Sequence, residues 1–164
     1  MRIFGLAGWS GSGKTTLLVA LIPELTARGL SVSTIKHAHH DFDIDRPGKD
    51  SFRHRQAGAR EVMVASARRW ALMHELRGAD EPSFDELAAR MSPVDLLLVE
   101  GFKFHPHPKI EVYRAEIAKP LLYPDDPHIV AVASDAALDA PLPLLPLGDP
   151  AAIAEFILAY REAR

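Results

Sequence analysis

The sequence contains no cysteine among its 164 residues. Disulfide bonds, cysteine-ligated zinc or iron–sulfur centres and thiol nucleophiles are therefore excluded. The chain also carries no marked charge of either sign, since 19 basic and 22 acidic residues give a formal net charge of −3. At that charge no long-range attraction to nucleic acid or to an anionic membrane surface is expected, so we predict neither as a partner.

Long apolar runs are missing as well. No segment reaches the roughly 20 apolar residues of a membrane-spanning helix. The chain enters a predicted strand at Arg2 without the apolar stretch of a signal peptide. These features favour a cytoplasmic protein. The length suits one globular domain, which we predict to span residues 1–164.

Strand and helix patterns alternate along most of the chain. Apolar residues at helical spacing predict a helix over Lys14–Ala27, and Asp149 followed by Pro150 marks the start of a last helix. The apolar run Val94–Val99 is typical of a strand buried on both faces, whereas Lys109–Arg114 alternates and predicts a half-exposed strand. This alternation favours an α/β fold with a mostly parallel sheet. Further strands are predicted at Arg2–Ala7, Val32–Ile35 and Ile129–Ala133, with a hairpin of Glu61–Ala65 and Trp70–His74.

Residues 8–15 read GWSGSGKT and match the phosphate-binding motif G-x-x-x-x-G-K-[ST] in full. Glycines let consecutive N–H groups turn inward around phosphate oxygens, and the following helix points its positive end at the same anion. Lys14 is expected to reach the β- and γ-phosphates and the Thr15 hydroxyl to hold Mg²⁺. Together with the alternating strands and helices, the motif predicts the three-layer fold of P-loop NTPases, with helices on both faces of a mostly parallel sheet. The predicted hairpin adds β-hairpin insertions to this fold. The residues predicted to bind the nucleotide here are Gly8, Trp9, Ser10, Gly11, Ser12, Gly13, Lys14, Thr15 and Thr16.

A P-loop protein also needs a carboxylate near the metal, at the end of a neighbouring buried strand. The segment DLLLVEG at residues 95–101 offers Asp95 and Glu100. They lie about 16 Å apart along an extended strand, so only one can sit at the phosphate end. Ligands gather at the carboxyl ends of strands in open α/β sheets, which selects Glu100. We therefore predict Thr15 and Glu100 as Mg²⁺ ligands, and Lys14 and Glu100 as catalytic residues.

The polar segment 36–45, KHAHHDFDID, follows the second predicted strand. Its three histidines and three aspartates could bind a transition metal. Alternatively it is a switch that senses the γ-phosphate through the metal, or a solvated loop. We favour the switch, with Asp41 as a third catalytic residue. His105 and His107 have no further ligand near them in the sequence and are predicted to be surface residues.

Recognition of the base has no strong motif, since the Asn-Lys-x-Asp sequence that many GTPases use for guanine is absent. Asp135 follows the strand predicted at Ile129–Ala133 and is our candidate. A carboxylate accepts hydrogen bonds from N1 and N2 of guanine, which adenine cannot supply. No glutamine or arginine stands out as the water-positioning residue or arginine finger of fast hydrolysis, so slow intrinsic turnover is expected.

Four further segments follow the phosphate loop in order: KHAHHD at 36–41, DRPGKDS at 45–51, VEGFK at 99–103 and PKIEV at 108–112. With that loop they resemble the molybdopterin-guanine dinucleotide biosynthesis protein B (MobB) family over nearly the whole chain. The phosphate loop is generic, whereas the histidine-rich segment and VEGFK are specific in combination.

The resemblance implies a homodimeric GTP-binding protein with weak GTPase activity that assists the last step of molybdenum cofactor synthesis. In that step the partner MobA joins GMP to molybdopterin, so molybdopterin or its guanine dinucleotide is an implied further ligand. The resemblance also implies that Lys36–Ser51 and Glu100–Lys103 line the active face.

Two other functions stay open from the residues. A metal-delivery GTPase would use His37, His39 and His40 as ligands, and a small-molecule kinase would transfer the γ-phosphoryl group to a metabolite. The chain has no arginine-rich lid segment of the usual kinase kind. We favour a GTP-binding accessory protein with GTP and Mg²⁺ as cofactors.

Overall fold

The computed structural model describes residues 1–38 and 42–161. The chain divides into two compact units. One unit consists of Met1–His37 together with the part of the chain from Ala88 onward, and the other consists of Ala38–Leu87. Each unit is described separately below.

The strands and helices fall close to where the sequence patterns predict them. The strands are β1 (Arg2–Ala7), β2 (Val32–Lys36), β3 (Glu61–Ala65), β4 (Trp70–His74), β5 (Leu96–Glu100), β6 (Lys109–Tyr113), β7 (Ile129–Ser134) and β8 (Leu144–Pro146). The helices are α1 (Lys14–Ala27), α2 (Asp50–Gln56), α3 (Phe84–Ala89) and α4 (Pro150–Ala159), with a short 3-10 turn at Ala115–Ile117.

The first unit is built on a six-stranded sheet with the order β2-β5-β1-β6-β7-β8. Every strand pairing within this sheet, among the described residues, is parallel. The predicted α/β fold with a mostly parallel sheet is therefore confirmed. Because the strands run in one direction, the carboxyl ends of the central strands meet at one edge.

The core lies between this sheet and two helices. Leu96–Val99 of β5 are at most 1% exposed, as a continuous apolar run predicts for a strand covered on both faces. Helix α1 contributes Leu21 and Leu25 to the same core, and α4 contributes Ile153 and Ile157. The apolar helical spacing seen in the sequence thus corresponds to burial against the sheet.

Helix α4 begins where its capping residues predict. The Asp149 carboxylate accepts a hydrogen bond from the Ala152 N–H at 3.0 Å, and Pro150 occupies the first helical position. An N-terminal N–H that has no partner within the helix is thereby satisfied.

The second unit contains α2 and the hairpin of β3 and β4. The hairpin pairs Glu61 with His74 and Ala65 with Trp70, in the predicted antiparallel arrangement. Between α2 and the residues around it, Arg55 forms ion pairs with three carboxylates: Asp43 at 2.7 Å, Asp45 at 3.4 Å and Glu75 at 2.9 Å. Its positive charge is therefore compensated within the unit.

Two expectations about burial are wrong. Strand β6 is not half-exposed, because it lies between β1 and β7, and both Lys109 and Glu111 are 1% exposed. His107 is not a surface residue, since it is 2% exposed beside the same strand. Strand β8 has no counterpart among the predicted strands, because Leu144–Pro146 is short and lies in a proline-rich stretch.

None of the described helices is both long and apolar enough to cross a lipid bilayer.

Candidate functional site

The candidate site lies in the first unit, at the edge where the parallel strands end. The phosphate loop follows β1, and β5 ends at Glu100. On the far side of β1, β6 is followed by Arg114 and β7 by Asp135. The strand order therefore brings residues distant in the sequence to one place.

The glycines of the phosphate loop are required by its geometry. Gly8 has a φ of 143°, and a Cβ there would lie 2.6 Å from both Ser12 Oγ and the Val112 carbonyl oxygen. Gly13, at the start of α1, has a φ of 94°. Larger residues are excluded from these two positions by backbone conformation and, at Gly8, by space as well.

Lys14 folds back over the loop. Its Nζ donates to the Gly8 carbonyl at 3.0 Å and to the Trp9 carbonyl at 2.8 Å. Partial burial lowers the pKa of the Lys14 ammonium; the charge of Glu100 opposes this shift, and Lys103 and Lys36 add to it. A half-buried ammonium among other cations favours the approach of an anion.

Thr15 and Glu100 are in direct contact. The Thr15 hydroxyl lies 2.9 Å from Glu100 Oε1 and 3.1 Å from Oε2, and Lys36 Nζ lies 3.3 Å from Oε1. Asp95, the alternative carboxylate, precedes β5 at its opposite end, where its Oδ2 accepts hydrogen bonds from the Ser31 N–H and hydroxyl. The structure thus places Glu100, and not Asp95, beside the phosphate loop.

These groups surround a cavity of about 350 Å³. Its size and polar lining suit a phosphate chain more than an apolar ligand. The residues that line it are Ser10, Gly11, Gly13, Lys14, Thr15, Thr16, Lys36 and Glu100.

Trp9 is held at the rim of the loop. Its Nε1 donates to the Pro120 carbonyl at 2.7 Å, and the ammonium groups of Lys103 and Lys119 each lie 5.7 Å from its ring centroid. The electron-rich ring face stabilises such cations. Two positive charges therefore stand beside the phosphate loop in addition to Lys14.

A buried carboxylate fixes the segment that contacts Trp9. Glu111 accepts hydrogen bonds from the backbone N–H groups of Leu122 at 2.8 Å and Tyr123 at 3.0 Å. Burial raises the pKa of the Glu111 carboxyl, and these two hydrogen bonds partly offset that shift. The two bonds hold the chain next to Pro120, which receives the Trp9 indole.

Asp135 lies at the end of β7 with both carboxylate oxygens engaged. Arg114 Nη1 lies 3.1 Å from Oδ2, and the Ala115 N–H donates to Oδ1 at 3.3 Å. The Arg114 guanidinium also packs against the phosphate loop, because a Cβ added to Gly13 would lie 3.3 Å from Arg114 Nε. Sequence reasoning missed Arg114. Its position directly after a predicted strand was the available signal, but its contact with the loop depends on β6 lying beside β1.

The histidine-rich segment is described only in part. The His37 N–H donates to the Glu100 carbonyl at 2.8 Å, and the His37 ring packs on Phe102 with centroids 4.8 Å apart. Asp41, predicted to be catalytic, lies outside the described residues together with His39 and His40. Across residues 1–38 and 42–161 no group of three or more His, Cys, Asp or Glu side chains could hold a metal ion.

A parallel α/β sheet, a glycine-rich loop between β1 and α1, and a carboxylate ending the adjacent strand define a P-loop NTPase-like fold. The family model of MobB, described as molybdopterin guanine dinucleotide synthesis protein B, matches residues 3–135. The chain belongs to the MobB family.

Individual relatives agree with this assignment. The chain is 45% identical over 163 residues to the molybdopterin-guanine dinucleotide biosynthesis adapter protein of Escherichia coli K12, covering 98% of this chain and 93% of that protein. It is 46% identical over 158 residues to the protein of the same name from Haemophilus influenzae, and the match covers 94% of this chain and 86% of that protein.

Solved structures show the same fold. A crystal structure of molybdopterin-guanine biosynthesis protein B matches with a TM-score of 0.74 and 28% identity, covering 96% of this chain and 98% of that one. The crystal structure of Bacillus subtilis MobB matches with a TM-score of 0.73 and 26% identity, covering 97% of each chain.

Proposed function

We propose that this chain is an adapter in molybdopterin-guanine dinucleotide biosynthesis that binds GTP and Mg²⁺ and hydrolyses GTP slowly. The observation that carries the nucleotide assignment is the convergence of Lys14, Thr15 and Glu100 on the cavity beside the phosphate loop. Family membership and the adapter names of the two relatives support the pathway assignment.

The residues present fit a magnesium nucleotide. Thr15 and Glu100 offer hydroxyl and carboxylate oxygens 2.9 Å apart, and Mg²⁺ prefers hard oxygen ligands that it shares with phosphates. Bound there, the ion would neutralise charge on the phosphate chain. Lys14 Nζ now donates to two carbonyls of the loop and would pair with phosphate oxygens in their place. We propose Lys14, Glu100 and Asp41 as the catalytic residues.

The base would be read at the end of β7. Asp135 accepts donors on both oxygens in this structure, and N1 and N2 of guanine offer two donors of the same kind. We propose that Asp135 accepts these donors and so favours GTP over ATP.

The adapter role requires a partner. We propose that the partner is the MobA-type guanylyltransferase of the pathway, that the chain acts as a homodimer in the cytoplasm, and that molybdopterin or its guanine dinucleotide is handled in the same complex. The nucleotide bound at this edge of the sheet would then change the affinity of the chain for that partner or for the pterin.

Calorimetric titration with GTP, GDP and ATP in the presence of Mg²⁺ tests the nucleotide assignment. We expect GTP to bind more tightly than ATP and the Lys14→Ala variant to lose GTP binding. Arg68→Ala, which removes an exposed cation at the hairpin turn, is the matched control and should bind normally. Unchanged affinity of Lys14→Ala would contradict the assignment. Steady-state hydrolysis without a partner should stay below about 1 s⁻¹, under the range of assisted GTPases.

A second experiment tests the adapter assignment. The guanylyltransferase is titrated with this chain in the presence of GTP–Mg²⁺ or GDP–Mg²⁺, and complex formation is measured by calorimetry. We expect saturable binding whose affinity differs between the two nucleotides. No interaction in either state would overturn the adapter role while leaving nucleotide binding intact.

A further inference from the structure

A reverse turn follows Glu100 and presents the Phe104 side chain to solvent. The His105 N–H donates to the Phe102 carbonyl at 3.0 Å, which closes a four-residue turn with Lys103 and Phe104 at its tip. The Phe104 side chain is 99% exposed. A phenylalanine in this state contributes nothing to the core and leaves its whole apolar surface in water.

The entry to the turn is fixed by a strained backbone. Gly101 has a φ of 96°, and a Cβ there would lie 2.7 Å from His37 Cβ. Phe102 has a φ of 51°, a conformation that costs free energy for any residue with a side chain. The Phe102 ring packs on His37. The chain thus leaves β5 in one defined direction.

The exit from the turn is fixed by the buried side chain of Lys109. The His105 carbonyl accepts a hydrogen bond from Lys109 Nζ at 2.9 Å, and the same Nζ lies 3.1 Å from Asp126 Oδ2. Lys109 is 1% exposed. An ammonium held in the core by a carboxylate and a carbonyl positions the segment rigidly. Both ends of the turn are therefore anchored, and Phe104 is held out from a fixed support.

An exposed cation adjoins Phe104 in the chain. Lys103 is its neighbour in the turn, and Lys103 and Lys119 both lie over the Trp9 ring. Aromatic side chains on rigid supports are typical anchors of protein–protein interfaces, where they fill an apolar pocket inside a polar rim. The positive charge next to the anchor favours a partner surface with carboxylates at the corresponding rim.

We propose that the turn Phe102–His105 is the docking element of this chain, with Phe104 inserted in an apolar, acid-rimmed pocket of the guanylyltransferase. This inference rests on the proposed adapter function, for which it names the contact surface. The turn begins two residues after Glu100, so the docking surface adjoins the candidate nucleotide site.

The test is a calorimetric titration of the guanylyltransferase with the unsubstituted full chain and with Phe104→Ala and Phe104→Asp. We expect the dissociation constant to rise at least about tenfold for Phe104→Ala and further for Phe104→Asp, as for a central aromatic anchor. Val19→Asp, which places the same charge at a site 63% exposed on α1, is the control and should bind like the unsubstituted chain. GTP affinity and thermal unfolding should be unchanged for all three variants. Raising the salt concentration should weaken the complex.

The contrary outcomes separate this inference from the adapter assignment. Binding of both Phe104 variants within twofold of the unsubstituted chain would overturn the docking element and leave the adapter role standing. Failure of the unsubstituted chain to bind would overturn both. A fall in the oligomer mass of Phe104→Asp, measured by light scattering, would assign the turn to a contact between copies. Cosedimentation with anionic vesicles that is lost in Phe104→Asp would assign it to a membrane.

Discussion

The Thr15 hydroxyl lies within hydrogen-bond distance of both carboxylate oxygens of Glu100, at 2.9 and 3.1 Å. The contact joins the first turn of α1 to the last residue of β5, 85 positions away in the sequence. Lys36 at the end of β2 meets the same carboxylate. Helix α1 and strands β2 and β5 are therefore linked through the Glu100 side chain, which lines the candidate phosphate cavity.

Glu100→Gln tests whether the Glu100 carboxylate is a ligand of Mg²⁺. The amide keeps the size of the carboxyl but loses its negative charge, so we expect GTP affinity in Mg²⁺ to fall about 10–100-fold. Affinity in EDTA should change little. The control is Asp95→Asn, which makes the same change at the other end of the strand and should leave GTP affinity unaffected. An equal loss with and without Mg²⁺ would mean that Glu100 only supports the fold of the loop.

Asp135→Asn tests recognition of the base. An amide offers one acceptor and one donor where the carboxylate offers two acceptors, so GTP affinity should fall about 10–100-fold, the range for hydrogen bonds to a charged group. Xanthosine triphosphate, which has a carbonyl in place of the 2-amino group, should gain affinity relative to GTP. The affinities for GTP and for xanthosine triphosphate are both measured by competition against a fluorescent nucleotide. An unchanged ratio of the two affinities would exclude Asp135 as the base-reading residue.

Arg114 is expected to act through Asp135. Because the two side chains form an ion pair, the effects of Arg114→Ala and Asp135→Asn on GTP affinity should not add in the double variant. Arg114→Lys keeps the charge but loses the planar guanidinium, and should recover only part of the affinity. Additive effects would show that the two residues contribute independently.

Local sequence patterns predicted those parts of the fold and site that local chemistry determines. The phosphate loop is a contiguous motif, and the apolar run before Glu100 already indicates a buried strand whose end carries the carboxylate. The hairpin of β3 and β4 follows from two short apolar strands around a polar turn. In each case the residues that form the feature are neighbours in the chain.

The features that could not be predicted depend on contacts across the fold. Lys109 and Glu111 gave β6 an alternating pattern, but each is buried because a distant group satisfies it, Asp126 for the lysine and two backbone N–H groups for the glutamate. Arg114 meets Gly13 only because the sheet places β6 beside β1. Periodicity reports which side chains are polar, and it does not show that a polar side chain has a partner inside the protein.

Gly101→Ala should destabilise the chain more than a typical glycine substitution. The residue has a φ of 96°, and an added Cβ would also lie 2.7 Å from His37 Cβ. Gly29 has a similar φ of 81° with nothing within 4 Å of its added Cβ, so Gly29→Ala isolates the cost of the backbone conformation. We expect the free energy of unfolding to fall by about 1 kcal/mol for Gly29→Ala. For Gly101→Ala we expect a fall of about 2–4 kcal/mol, since steric overlap adds to the cost of the backbone conformation. Urea unfolding measures both, and equal values would show that His37 moves aside without cost.

His107 should make stability fall as the solution becomes acidic. Burial, together with the nearby charge of Lys109, lowers the pKa of its imidazole from 6.5 to about 4. The unfolded chain therefore binds a proton between these values that the folded chain does not, so this contribution to stability is complete above pH 6.5 and is lost toward pH 4. The full loss amounts to about 3 kcal/mol. Urea unfolding at pH 7.5 and pH 5 measures it in the natural chain and in His107→Leu, which cannot titrate. The free energy of unfolding should change between pH 7.5 and pH 5 by about 2 kcal/mol less in the variant than in the unsubstituted chain. An identical change in both chains would show that His107 titrates normally.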